Sequence, residues 1–286
     1  MAEVFRARVA EGPGLGELVA VKRLLPSQVR DPAAVALFAR EAALTQALVH
    51  PNIVKVLEVG AAGPEPFIVM ELVDGRDLGV ILKRCKHRGI PLPVDICIYL
   101  CKALLEALAH AHSAVDEEGS PLGIVHCDVS PSNVFVSRIG EVKLGDFGVA
   151  RALSGASRGE AEVHGKPYYL SPEALRGVIS PATDLWAAAV LLYEVLSLSR
   201  PFTGDHPEAV FSAVRSGLFR RLSEQRPEVP AALDDVLGRA LTLDPAGRFQ
   251  DAEDFAQALE ALLDERVGTP LAVAAVVRGL FGTSDA

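Results

Sequence analysis

Hydrophobic positions recur with two different periods along the chain. Residues 4–9 alternate as a strand does, and residues 18–24 form a second such run. The intervening Gly12-Pro13-Gly14-Leu15-Gly16 supplies turn residues, so together they predict a hairpin. Asp31-Pro32 reads as an N-cap followed by a first-turn proline, opening a helix to about residue 49 with Val35, Phe38, Ala42 and Leu44 on its apolar stripe. Residues 53–59 and 66–72 predict two more strands, and Asp74-Gly75 ends that texture. From Pro93 onward the period is close to 3.6 and predicts helices over 94–112, 181–198, 207–216, 231–241 and 251–263. Two short β-like runs, 134–136 and 142–144, and an irregular stretch over 151–169 lie between the first two of these helices. Long irregular stretches inside compact domains are usually functional. The pattern predicts an α+β chain with a β-rich lobe over 1–73, a helical lobe over 74–265 and a tail over 266–286.

Composition narrows the class. Half of the 286 residues are hydrophobic and 23% are charged, the balance of a soluble globular protein. Acidic residues outnumber Lys and Arg by 37 to 28, so binding to nucleic-acid phosphates or to an anionic membrane is disfavoured and neither is expected as a partner. The longest apolar runs, 185–193 and 271–277, fall short of the roughly 18–20 residues that span a bilayer. Glu3, Arg6 and Arg8 interrupt any apolar signal core, so a cytoplasmic location is expected. Of four cysteines, Cys97 and Cys101 share a helical face without further ligands at zinc spacing, and all read as free thiols. The basic cluster Lys83, Arg84, Lys86, His87 and Arg88 precedes Gly89 and is expected to close a helix, where cations suit the dipole.

Four features in fixed order suggest chemistry. Val19-Ala20-Val21-Lys22 sets a lysine into a hydrophobic strand, and Glu41 lies in the following helix on a face that can turn toward the sheet. Each alone suits a solvated surface; paired, they would hold an ammonium where it can grip phosphate oxygens. His126-Cys127-Asp128-Val129-Ser130-Pro131-Ser132-Asn133 places an Asp and an Asn five residues apart in one loop, a carboxylate for an attacking hydroxyl and an amide oxygen for a metal. Asp146-Phe147-Gly148 follows a short strand, and Asp146 with Asn133 would offer the oxygen ligands that Mg²⁺ prefers. Turn chemistry explains each motif separately but not all four in this order.

These residues resemble the protein-kinase superfamily, and in particular the eukaryotic-like Ser/Thr kinases of bacteria, over residues 2 to about 263. The resemblance implies a two-lobed fold, ATP and Mg²⁺ as cofactors, protein Ser/Thr hydroxyls as substrates and possible autophosphorylation. By it Lys22 contacts the α/β-phosphates with Glu41 as its partner, Asp128 is the catalytic base, and Asn133 and Asp146 hold Mg²⁺. Met70 looks like the gatekeeper, Glu71 and Val73 offer hinge backbone groups to the adenine, Val4 and Ala20 cover it, and Phe135 lies beneath. His50-Pro51-Asn52-Ile53, Ser171-Pro172-Glu173, Asp184 and Arg248 match supporting positions, with Glu173 and Arg248 as an ion pair.

Three departures qualify the likeness. The family's glycine-rich loop is cut: Ala2 takes the place of its third Gly ahead of Val4, so the first strand is expected to be missing and Met1 reads as an internal methionine of a longer frame. Gly12, Gly14 and Gly16 do not substitute, because Gly16 stands only six positions before Lys22. Cys127 occupies the usual Arg position, which implies that activation does not depend on phosphorylating Ser154 or Ser157 between Asp146 and Glu173, where Arg151 and Arg158 are the nearby cations. Ser130 replaces the Lys that usually follows the Asp by two, while Lys166 replaces a Thr before Ser171-Pro172-Glu173, as if hydroxyl and ammonium had exchanged places. The expectation is a Ser/Thr protein kinase; a pseudokinase scaffold and a small-molecule phosphotransferase are the alternatives.

Overall fold

The computed structural model describes residues 2–147, 166–263 and 268–282, together with the backbone of 151–152. The N-terminal lobe is an antiparallel sheet in the order β1-β2-β4-β3, formed by Ala2–Arg8 (β1), Leu18–Leu24 (β2), Val56–Ala62 (β3) and Glu65–Glu71 (β4). Central β2 carries Lys22 opposite Val4 on one side and Ile68 on the other. Helix α1, Pro32–Gln46, packs on the sheet through Ala34, Phe38 and Ala42, and the Asp31 side chain caps it by accepting the Ala33 N–H at 2.9 Å. The same spacing turns Glu41 inward.

The third strand starts later than the hydrophobic run suggests. Ile53 and Val54 belong instead to a link with the second lobe. Ile53 bridges Leu144, Leu144 N–H donates to Asn52 O at 2.7 Å, and the Asn52 amide donates to Val142 O at 2.9 Å. Their apolarity thus serves burial between lobes rather than a strand of the upper sheet.

The second lobe is built on α3 (Val94–His112) and α4 (Pro181–Ser197), with α5 (Pro207–Ser216), α6 (Ala231–Ala240) and α7 (Ala252–Glu260) around them. Helix α4 is apolar on all sides and buried on all sides, as a core helix must be. A small sheet of Gly75–Asp77 (β5), Val134–Ser137 (β7) and Val142–Leu144 (β8) lies toward the first lobe, and Ile124–Val125 (β6) pairs with Arg151–Ala152 (β9). Gly75 is required in β5, because a Cβ there would stand 2.0 Å from Val136 O. Of the basic cluster, Lys86, His87 and Arg88 occupy the last turn of α2 (Leu78–Arg88), with Lys83 and Arg84 in the turn before, and Gly89 closes the helix in the left-handed region.

The segment over 266–286, expected as a tail, contains a helix, α8 (Pro270–Phe281), capped by Thr269. Val273, Val277 and Leu280 join the large core, and Arg84 and Arg88 of α2 donate to Leu280 O and Gly279 O, the carbonyls that a helix C-terminus leaves unpaired. Cys85, Cys97 and Cys101 are buried free thiols, and burial pushes the thiol pKa of each up. Among the described residues no helix is long and apolar enough to cross a membrane.

Candidate active site

A cleft of about 240 Å³ opens between the lobes. Every residue expected around a nucleotide except Glu41 lines it: Val4 and Ala20 from the sheet, Lys22 on β2, Met70, Glu71 and Val73 at the connection, and Phe135 on β7, with Asn133 and Asp146 at one end. Val54, Leu72, Ser132 and Gly145 complete the lining. Gly145 leaves room for the floor, since a Cβ there would press on Phe135 and Val54 at 3.0 Å.

Glu41 stands behind the cleft and ion-pairs with Lys22, whose Nζ also lies 2.6 Å from Asp146 Oδ1. Burial opposes the charge on Lys22, but the Asp146 and Glu41 carboxylates outweigh it and raise its pKa. For Glu41 burial prevails over the attraction of Lys22, and its pKa also stands above that of an ordinary glutamate. Lys22 and Glu41 therefore tie sheet and helix at a buried point, and Lys22 reaches on to the half-exposed Asp146 of the second lobe.

The loop around Asp128 is held from below. Asp184, inside α4, accepts the backbone N–H groups of His126 and Cys127 at 2.8 and 2.9 Å and contacts His112 Nε2 at 2.8 Å. That double grip stabilises Cys127 at φ +65°, a left-handed conformation that costs a residue bearing a Cβ about 1–2 kcal/mol. The Asp128 N–H donates to His126 Nδ1, which leaves the proton on Nε2 to reach Gly145 O at 3.1 Å. His126 thus fixes both Asp128 and the approach to Asp146. Asn133 Nδ2 donates to Asp128 O and Oδ2 at 2.8 and 3.0 Å. Asp128 Oδ1 is buried and has no hydrogen-bond partner among the described residues. A buried carboxylate oxygen in that state wants a donor.

Lys166 completes the cluster. Its Nζ donates to Ser130 Oγ at 2.7 Å and Ser132 Oγ at 2.5 Å and stands 3.9 Å from Asp128 Oδ2. The next turn, Pro167–Tyr169, is anchored by the Tyr169 hydroxyl on Glu194, and Arg200 lies 4.0 Å over the Tyr168 ring.

Comparison with known proteins matches this arrangement to the protein kinase domain over residues 2–261. The chain belongs to the protein kinase family. It is 36% identical over 99% of its length to a tyrosine-protein kinase, MasK, of Myxococcus xanthus, of which it covers 44%. It is 38% identical over 99% of its length to a probable serine/threonine-protein kinase of Streptomyces coelicolor, covering 41% of that protein. It is 37% identical over 89% of its length to the serine/threonine-protein kinase PknB of Mycobacterium tuberculosis, covering 40%. The chain thus spans less than half the length of these curated relatives.

Within this kinase domain the ion pair expected between Glu173 and Arg248 is present and fully buried, with two nitrogen–oxygen distances of 2.7 and 2.8 Å. Gly148, Ser154, Ser157 and Arg158 lie outside the described residues, as do the side chain of Arg151 and the whole of Met1. Sequence reasoning did not single out Ser132, whose hydroxyl meets Lys166 only through folding, or the double role of Asp184 beneath the loop. An acidic residue inside an otherwise apolar helix is the signal that marks the second.

Proposed function

We propose that this chain transfers the γ-phosphoryl group of ATP to Ser or Thr hydroxyls of proteins, itself among them. The carrying observation is the setting of Asp128: Asn133 holds its carboxylate Oδ2 at 3.0 Å, the Lys166 ammonium stands 3.9 Å from the same oxygen, and Asn133 lines the cleft together with Lys22 and Asp146. Asp128 would accept the hydroxyl proton as the oxygen bonds to the γ-phosphorus and the bond to the β–γ bridging oxygen breaks, releasing ADP. Lys22 would orient the α/β-phosphates, with Glu41 keeping it in place. Val4 and Ala20 above, Phe135 below and Met70 behind would enclose the adenine, with the backbone of Glu71 and Val73 along its edge.

The donor set fits Mg²⁺. Asp146 supplies a carboxylate, and Asn133 spends its amide N–H on Asp128, so its remaining polar atom is an oxygen. Among the described residues no group of three or more His, Cys, Asp or Glu side chains could cage a metal. Mg²⁺ needs none, since it takes one or two protein oxygens and completes its shell with phosphates and water. Bound there, the ion would neutralise phosphate charge.

The name of the Myxococcus relative gives tyrosine as a second acceptor class, whereas serine/threonine runs through the Streptomyces and PknB relatives. Incubating the chain with Mg²⁺, radiolabelled ATP and a generic protein tests both. Phosphoserine or phosphothreonine is expected, and Asp128→Asn should lower transfer roughly 10²- to 10⁴-fold. Transfer unchanged in that variant would overturn the assignment, and phosphotyrosine alone would move the acceptor class.

A further inference from the structure

Two lysines stand near the reacting groups, and their charges are not equally available. Lys22 faces two carboxylates, Glu41 and Asp146, which largely cancel it. The two closest partners of Lys166 are neutral hydroxyls, Ser130 and Ser132, which fix the ammonium without neutralising it. Its carboxylate neighbour, Asp128, is farther away at 3.9 Å. An ammonium carries three donors. Two are spent on the serines, and the third remains for a ligand between Lys166 and Asp128. Ser130 is fully buried and gives the anchor a rigid end, the lysine side chain keeps 45% of its surface exposed, and Ser132, its other anchor, lines the cleft. A fixed positive charge beside the carboxylate that receives the acceptor proton is where negative charge builds on a transferring phosphoryl group.

We propose that Lys166 is a catalytic residue that grips the γ-phosphoryl oxygens, most strongly in flight between ADP and the acceptor, and that Ser130 and Ser132 are its positioning residues. Lys166 stays protonated throughout and exchanges no atoms. This assignment rests on the phosphotransfer function proposed above. Its consequence is that the neutralising charge sits on the stretch leading into Pro167–Tyr169 rather than on the loop of Asp128.

Kinetics and binding on the full chain test it together. Lys166→Ala should lower kcat roughly 10²- to 10³-fold with a much smaller change in KM for ATP. Calorimetry without any acceptor should show that Lys166→Ala loses the preference of the wild type for Mg-ATP over Mg-ADP while binding Mg-ADP as before. Lys166→Arg, which keeps a cation, should retain more of both. Wild-type kcat and wild-type ATP preference in Lys166→Ala would overturn the proposal while leaving phosphotransfer intact. So would a rise confined to the KM of the protein substrate, which would assign Lys166 to acceptor binding. A wild-type chain that binds no Mg-ATP would overturn the phosphotransfer function and Lys166's role together.

Discussion

In the small lobe five apolar side chains, Leu24, Phe38, Ala42, Val56 and Ile68, form the buried cluster. In the large lobe nearly all of α4 from 183 to 196 is inside, and it is joined there by α3, α6, α7 and α8. At about 1.5–3 kcal/mol for each large apolar side chain buried, the difference is that between a thin layer and a scaffold. The chemical groups divide accordingly. Asp128 and Asn133 stand on backbone fastened to Asp184 and His126 in the large lobe, whereas Lys22 reaches its place through an ion-paired triangle that crosses to Asp146. Groups in the first lobe are therefore held by charge, and those in the second by packing and backbone hydrogen bonds.

The largest effect should come from the scaffold. Arg248 is fully buried against Glu173, donates to Thr242 O and Leu243 O, and lies 4.7 Å from the Trp186 ring. Removing one partner of such a pair strands the other charge in the interior, so Arg248→Ala is expected to cost about 3–5 kcal/mol in urea unfolding. A loss below about 1 kcal/mol would show that packing alone carries the large lobe, since a surface pair is worth no more than that.

Much of this division can be read from the sequence, and where it cannot the reason is physical. Helix and strand periods located α1, α3 to α7 and the hairpin, because each buries one face or all faces along a continuous run. Strand β5 escaped notice, since its three residues gain their partners from β7, some sixty positions away. Helix α8 has a legible cap and apolar stripe, but only its docking on Arg84 and Arg88 shows that it belongs to the large lobe. In the site, motif order placed Lys22, Asp128, Asn133 and Asp146 together. The contact of Lys166 with Ser132 joins positions that no local pattern links.

A pH profile sharpens the contrast for the charged triangle. The raised pKa of Lys22 means that its contribution is complete below the ordinary lysine value and is lost only as pH rises through the raised one. Glu41, raised chiefly by burial, binds a proton more tightly in the folded than in the unfolded chain. Its share of stability is therefore present below the ordinary glutamate value and lost as pH rises through its own raised value. In Lys22→Met the attraction opposing that rise is gone, while burial and Asp146 remain. The urea midpoint of the variant should fall more steeply than that of the wild type as pH rises above the ordinary glutamate value. Adding Glu41→Gln should flatten the curve. Parallel profiles for wild type and Lys22→Met would mean that Glu41 does not need Lys22 to stay charged, and that the small lobe is not held as described.

The smallest effect is expected from the serines between Asp146 and Glu173, because the loop of Asp128 takes its order from elsewhere. Receiving a phosphate takes an Arg or Lys with donors to spare. Beside Asp128 the chain has Cys127, whose backbone is clamped to Asp184. Of the cations close by among the described residues, Lys166 is bound to two serines and has its third donor assigned above to the transferring phosphoryl group, and Arg200 is paired with Glu194 at 3.2 Å and stacked on Tyr168. The loop of Asp128 is already fixed from below, so a phosphate at Ser154 or Ser157 has no ordering work left to do there. Replacing both serines by Ala should leave phosphotransfer within about tenfold of wild type, equivalent to less than about 1.4 kcal/mol on the barrier. A greater loss would mean that the scaffold is incomplete without a modified segment, and that the rigidity assigned to the large lobe ends short of Lys166.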